Sequence, residues 1–251
     1  MSSDKYAVME SVGGEWLSRT GIIVGEEGLE RLARASVFVA GLGGVGAYAA
    51  ELTARAGVGR MTVLDGDTVA PSNINRQLPA TTGSVGRLKA EVMAARLADI
   101  NPGLELTVIP HYAEAEEMAA IVSGGGYDMV IDAIDTVAPK VALIAACREN
   151  GTEVVSSMGA GGRIDPAAVR FADISATEQC ALARAVRKGL RARGITSGVM
   201  TVFSTEPVPG RFVLPVNERN KRSTVGTLSF MPALFGCYLA AYAVRKIAGL
   251  W

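Results

Sequence analysis

Five charged residues in the first part of the chain are of the types that handle phosphate: Asp65 and Asp67 in LDGD, Arg76 in NINRQ, Lys89, and Asp135 closing DAID. Two cations beside a carboxylate able to hold a divalent metal suit phosphoryl or nucleotidyl transfer, in which negative charge builds on phosphate oxygens. Their companion is VFVAGLGGVG, residues 37–46, where a buried-strand run breaks into a glycine turn and then a helix. Gly41, Gly43, Gly44 and Gly46 let the backbone and a helix N-terminus approach a phosphate closely. Asp65 falls about twenty residues beyond the turn, where an acid accepts hydrogen bonds from ribose hydroxyls. Asn73 and Gln77 share the PSNINRQLP loop with Arg76.

Each residue alone has a blander reading. Asp65 or Asp67 caps a turn, Arg76 is a surface ion-pair partner, and Lys89 is a solvated helix lysine. The turn with Asp65 serves NAD as well as ATP, so an NAD-dependent oxidoreductase is one alternative; Arg76, Lys89 and Asp135 have no evident task in it. A non-catalytic nucleotide-binding scaffold is another.

The elements that must position these residues alternate. Strands are expected at Ser36–Ala40, Arg60–Leu64, Glu105–Ile109, Met129–Asp132 and Glu153–Ser156, with helices at 26–34, 45–56, 85–100, 115–122 and 137–150. Near-continuous Val and Ile strands between helices predict an α/β fold, a doubly wound, mostly parallel Rossmann-like sheet whose carboxyl edge carries the ligand. Beyond Ser157 the pattern changes to the MGAGGRIDP loop, a strand near 169–171, a basic helix over 181–193, and β-type segments at 199–204 and 226–229. These form an appended C-terminal antiparallel portion.

At 251 residues, with 49% hydrophobic and 20% charged residues, the chain reads as one domain over 1–251 with a polar N-terminal arm of about 1–25. Zero formal charge excludes a global field toward nucleic acid or membrane. The opening residues do not resemble a secretory signal, and Cys147, Cys180 and Cys237 form no CxxC pair, so a cytoplasmic location is expected. The apolar stretch from Leu228 to Val244 falls short of a bilayer crossing and reads as a core helix rather than a membrane anchor. Cys147 and Cys237 read as core residues and Cys180 as more exposed. His111, alone, is assigned no catalytic role.

Taken together, GLGGVG, LDGD, NINRQ, Lys89 and DAID resemble the ubiquitin-activating-type (ThiF-like) superfamily, whose bacterial members adenylate a carboxylate with ATP and magnesium. The resemblance covers essentially the whole chain. It implies that Gly41, Gly43, Gly44 and Gly46 line the phosphates and Asp65 takes the ribose. Asp67, Asn73, Arg76, Gln77 and Lys89 surround the triphosphate, Asp135 holds magnesium, and Arg19 of the arm reaches ATP, in some members from a partner subunit of a homodimer.

Sulfur-carrier activators of this superfamily carry a zinc site of two cysteine pairs, which this chain lacks, so no zinc is expected. KVALIAACRENG, MGAGGRIDP, the basic helix, VFSTE and TLSFMPALFG resemble instead the tRNA threonylcarbamoyladenosine dehydratase family. That resemblance implies ATP-dependent activation of the threonine carboxylate on a modified tRNA adenosine, followed by ring closure with loss of water. An adenylyltransferase acting on a ubiquitin-like sulfur carrier is the alternative. Some relatives carry a cysteine before the last helix; NERNKRSTVG has none here. With a tRNA substrate, Arg184, Arg187, Lys188, Arg191 and Arg193 become phosphate contacts, with Arg211, Arg219, Lys221 and Arg222 following. A solvated helix face is the alternative for the helix set. The MGAGGRIDP carbonyls could hold a monovalent cation, or the loop is simply a tight strand exit. Sulfur-transfer proteins are a further class of partner.

Overall fold

The computed structural model describes residues 14–218 and 221–250. Helix α1 (Ser18–Arg34), kinked at Gly25, leads into β1 (Ser36–Ala40). Then follow α2 (Gly46–Arg55), β2 (Arg60–Leu64), α3 (Lys89–Ile100), β3 (Glu105–Ile109), α4 (Ala115–Gly124), β4 (Met129–Asp132), α5 (Val137–Asn150) and β5 (Glu153–Ser157). The remainder is β6 (Val169–Asp173), α6 (Ala181–Arg191), β7 (Met200–Ser204), the hairpin β8 (Val213–Glu218) and β9 (Lys221–Val225), and α7 (Phe230–Ala248).

The main sheet has the order β3-β2-β1-β4-β5-β7-β6, parallel except for β6, which runs against β7. Register aligns the strand ends: Ala40 pairs with Leu64 and with Asp132, and Leu64 with Ile109. Because a strand shows alternate residues to opposite faces, Val37 and Val39 join one core while Phe38 and Ala40 join the other. The first core seats α2, α3 and α7, the second α4, α5 and α6. Strand order reverses between β1 and β4, so the crevice at their carboxyl ends is the natural ligand position.

Several boundaries depart from the sequence-based expectation. The helix expected from residue 85 starts at Lys89, because residues 86–89 form a small ladder with 67–69: Gly86 N–H donates to Val69 O, Val69 N–H to Arg87 O, and Lys89 N–H to Asp67 O. The β-type segment at 226–229 is not a strand; the neighbouring residues 213–225 supply the hairpin instead. The basic helix stops at Arg191, and α1 is helical from Ser18, inside the supposed arm. Residues 1–13 of that arm lie outside the described residues. Helix α7 is a core helix, as its composition predicts, and it presses on α2 so closely that a side chain at Gly236 would meet Val45 O at 2.4 Å. No helix among the described residues is long and apolar enough to cross a membrane.

Candidate active site

The turn after β1 is shaped by contact, not by flexibility. Gly41 has φ +88°, and a side chain there would strike Ala133 O at 2.9 Å; one at Gly46 would lie 1.8 Å from Gly41 O. Gly44 is packed at its back by Pro232 of α7, 2.9 Å from where a Cβ would sit. Gly43 differs, because a Cβ there meets only the Gln77 amide nitrogen at 3.7 Å. Its backbone is the open floor of the turn, beside the N-terminus of α2, where unpaired N–H groups favour an anion.

Asp65, ending β2, is buried at 8% exposure and accepts the Leu42 N–H (2.6 Å) and the Asp67 N–H (2.8 Å). Burial pushes its carboxyl up against the lowering influence of these donors and of Lys89. Each oxygen keeps a lone pair, so the carboxylate can brace the turn and still receive a ribose hydroxyl. Two residues on, Asp67 takes the Lys89 ammonium at 2.6 Å and the Tyr112 hydroxyl. Burial opposes ionisation of Asp67, but the bonds from Lys89 and Tyr112 outweigh it and hold the carboxyl below the usual range. The same bond, with burial behind it, pushes the Tyr112 phenol up to about 12. The ladder at 67–69 and 86–89 accounts for Lys89 being 4% exposed at this spot.

Arg76 donates from Nη1 to Ser72 O and to Asn75 Oδ1, both at 2.8 Å, leaving its other donors unassigned. Asn73 is buried and its side-chain oxygen accepts the Ala70 N–H at 3.1 Å, so it braces its own loop through that oxygen while its amide nitrogen keeps its donors. Gln77 lies against the glycine turn with Oε1 buried and unbonded. Asp135 is exposed just past β4, with Thr136 Oγ1 at 3.5 Å from its Oδ1 and Tyr112 within electrostatic reach. No group of three or more His, Cys, Asp or Glu able to hold a metal occurs among the described residues. One free carboxylate beside a phosphate cradle fits magnesium, which takes one or two carboxylates and completes its shell with phosphate and water oxygens.

Arg19 is not brought to the turn in the same chain. It lines a depression of about 500 Å³ with Leu52, Arg55 and Cys237, at the end of α2 opposite the turn, roughly 15 Å away at 1.5 Å per residue. Two cysteine expectations are reversed: Cys180 is buried, where it accepts the Ala183 N–H at the start of α6, and Cys237 is exposed in that depression. Cys147 is buried as expected, and burial pushes its thiol up to about 12. On α6, Arg184, Lys188 and Arg191 are exposed at i, i+4 and i+7, a single face. Arg193 is exposed just beyond, whereas Arg187 is partly buried and tied to Thr177 through its carbonyl (2.8 Å) and hydroxyl. Arg219 lies outside the described residues.

A model of the ThiF family matches residues 17–250. The chain belongs to the ThiF family. Within it, the tRNA threonylcarbamoyladenosine dehydratase of Bacillus subtilis is 43% identical over 238 residues, covering 92% of this chain and 93% of its own. The solved structure of the Escherichia coli tRNA N6-threonylcarbamoyladenosine dehydratase in complex with ATP superposes with a TM-score of 0.82 at 36% identity, over 99% and 97% of the two chains. The molybdopterin-synthase adenylyltransferase of Salmonella typhimurium is 39% identical over 121 residues, 48% of each chain.

Three residues at this edge escape a reading by motif: Tyr112, Lys140 and Ser156. Tyr112 sits on a loop three residues past β3, with no pattern to mark it. Lys140 did carry a signal, as the charged member of the buried run Pro139–Cys147.

Proposed function

We propose that the protein adenylates the threonine carboxylate of threonylcarbamoyladenosine in tRNA and so drives its cyclisation with loss of water. The observation that carries this reading is the convergence of Asp65, the Asp67–Lys89 pair and Asp135 at the carboxyl ends of β1, β2 and β4, around the turn from β1 to α2, in a chain similar to the dehydratases over nearly its full length. The likeness to the adenylyltransferase covers only half.

In this reading the Gly43 floor and the α2 N-terminus receive phosphate oxygens, and Asp65 orients the ribose. Lys89 and Arg76 offset the charge that grows as the substrate carboxylate attacks the α-phosphorus and pyrophosphate departs. Asp135 holds the magnesium, which when bound neutralises phosphate charge. A carboxylate is a poor electrophile; the mixed anhydride is a good one. The ureido nitrogen, tethered a few atoms away, then attacks that carbonyl and expels AMP, and the tether supplies the effective molarity. No enzymic nucleophile is required, which accords with three cysteines away from the turn.

Arg184, Lys188, Arg191 and Arg193 are the tRNA phosphate contacts of this reading, with Arg187 holding their helix to the fold. The depression around Arg19, flanked by Ile22 at 64% and Ile23 at 74% exposure, is the face on which a second copy docks and Arg19 reaches that copy's nucleotide. Incubation with ATP, magnesium and tRNA bearing threonylcarbamoyladenosine yields a nucleoside lighter by one water. An unchanged mass, with pyrophosphate release that depends on a ubiquitin-like carrier, overturns the reading. Mixing Arg19→Ala with Asp135→Ala protein restores part of the activity if the arm acts in trans; no recovery retires the shared site.

A further inference from the structure

Lys140 on α5 and Asp132 at the end of β4 are both wholly buried, with Nζ and Oδ2 2.7 Å apart. The adenylation chemistry uses neither. Their other bonds converge on one peptide unit: Lys140 Nζ donates to Ile134 O at 2.9 Å, and Asp132 Oδ1 accepts the Ile134 N–H at 3.1 Å. Ser156 Oγ, on the neighbouring strand, donates to Asp132 Oδ2 at 2.6 Å. Residue 134 is thus gripped through both its backbone groups by a charge pair that has no contact with solvent.

What this grip holds is the partition between two parts of the site. Ala133, one residue before, donates its N–H to Ala40 O at 2.9 Å and puts its carbonyl where a side chain at Gly41 would be. Asp135 is one residue after. Stability is a weak explanation for such a pair, since desolvating two charges commonly cancels their attraction, and apolar replacement of both is often neutral. Geometry is the stronger one: two charges and a hydroxyl fix one peptide plane more tightly than apolar packing does.

We propose that Lys140 and Asp132 are positioning residues, a buried latch that holds the Ile134 peptide so that Asp135 keeps a fixed distance from the Gly41 wall of the cradle. The inference rests on the reading of Asp135 as the magnesium carboxylate.

The test compares Lys140→Met, Lys140→Arg and Ser156→Ala with the wild-type protein and with Asp135→Ala. It measures the magnesium dependence of ATP-driven turnover, the KM for tRNA, and hydrogen exchange at the Ile134 amide. Lys140→Met raises the half-saturating magnesium concentration or lowers kcat by about 10- to 100-fold, as losing the support behind a metal ligand does. It leaves the KM for tRNA unchanged and accelerates exchange at Ile134. Lys140→Arg recovers part of the loss, and Ser156→Ala moves both readouts the same way by less. Should Lys140→Met fail to fold, Asp132→Leu/Lys140→Met, which removes both charges, carries the test. A folded double variant with wild-type magnesium dependence and wild-type Ile134 exchange overturns the latch. If Asp135→Ala keeps the wild-type magnesium dependence, the reading of Asp135 has failed instead, and Ile134 exchange alone judges the latch.

Discussion

The two edges of the sheet handle charge in opposite ways. At the amino edge, Glu27, Glu30, Arg31, Arg34, Arg60 and Lys246 are among the residues lining a groove of about 710 Å³, larger than the depression around Arg19. Its pairs are exposed ones: Lys246–Glu153 at 4.0 Å with side chains 39% and 44% exposed, and, within one helix turn, Arg34–Glu30 at 2.6 Å with side chains 79% and 47% exposed. Water already satisfies such charges, and a pair within one helix turn contributes roughly 0.3–0.5 kcal/mol. At the carboxyl edge four charges are sunk, Lys89 at 4%, Asp65 at 8%, and Asp132 and Lys140 at zero exposure, while Asp135 stays exposed among them. Volume is therefore a poor guide to chemistry in this molecule. Strand direction is the better one, because parallel strands deliver their ends, and the N-termini of the helices that follow, to a single edge.

That contrast can be broken at several points. The largest effect belongs to the buried pair: Lys140→Met strands an unpaired carboxylate and costs about 3–5 kcal/mol in denaturant unfolding. A smaller loss would mean that Asp132 finds water there. Asp135→Ala, which removes an exposed side chain, leaves the melting temperature unchanged while turnover falls by about 10²- to 10³-fold in a steady-state assay. Within the turn, Gly46→Ala overpacks against Gly41 O and destabilises by about 1–3 kcal/mol. Gly43→Ala melts like wild type yet binds ATP more weakly by calorimetry, and equal affinity would remove Gly43 from the floor of the site.

Acid and base probe the Asp67 cluster next. The folded Asp67 carboxyl is held low, so its bonds stabilise fully above the ordinary value of about 3.9 and are lost as pH falls through the lower folded value. Tyr112 runs the other way: its bond is intact below about 10 and lost as pH rises through about 12. Tyrosinate absorbance of wild type against Tyr112→Phe isolates that titration. Smallest of all, Glu30→Gln in the amino-edge groove shifts stability by no more than about 0.5 kcal/mol.

The parallel framework was legible because β1 through β5 are apolar runs bounded by turns, and periodicity places them within a residue of their observed ends. The grouping of the glycine turn with Asp65 and Asp67 was legible for a related reason: these residues stand at fixed offsets from strand ends. What escaped depends on contacts distant in sequence. Residues 85–88 have helical spacing, but pairing with 67–69 overrode it and thereby set where Lys89 points. Cys237 has core-like neighbours, yet it falls at the rim of the α7–α2 contact, in the depression with Leu52 and Arg55, while Phe235, Gly236 and Leu239 take the buried side. The bond by which Asn73 braces its own loop, from the Ala70 N–H to its side-chain oxygen, leaves no mark in the sequence either.

The packing of Pro232 behind Gly44 ties the glycine turn to α7, an element distant from it in sequence. Residues 230–248 lie far along the chain from this turn, which is backed at Gly44 only once that helix has docked on α2. The glycines and acids of the turn therefore do not make it by themselves; without α7 its back is open.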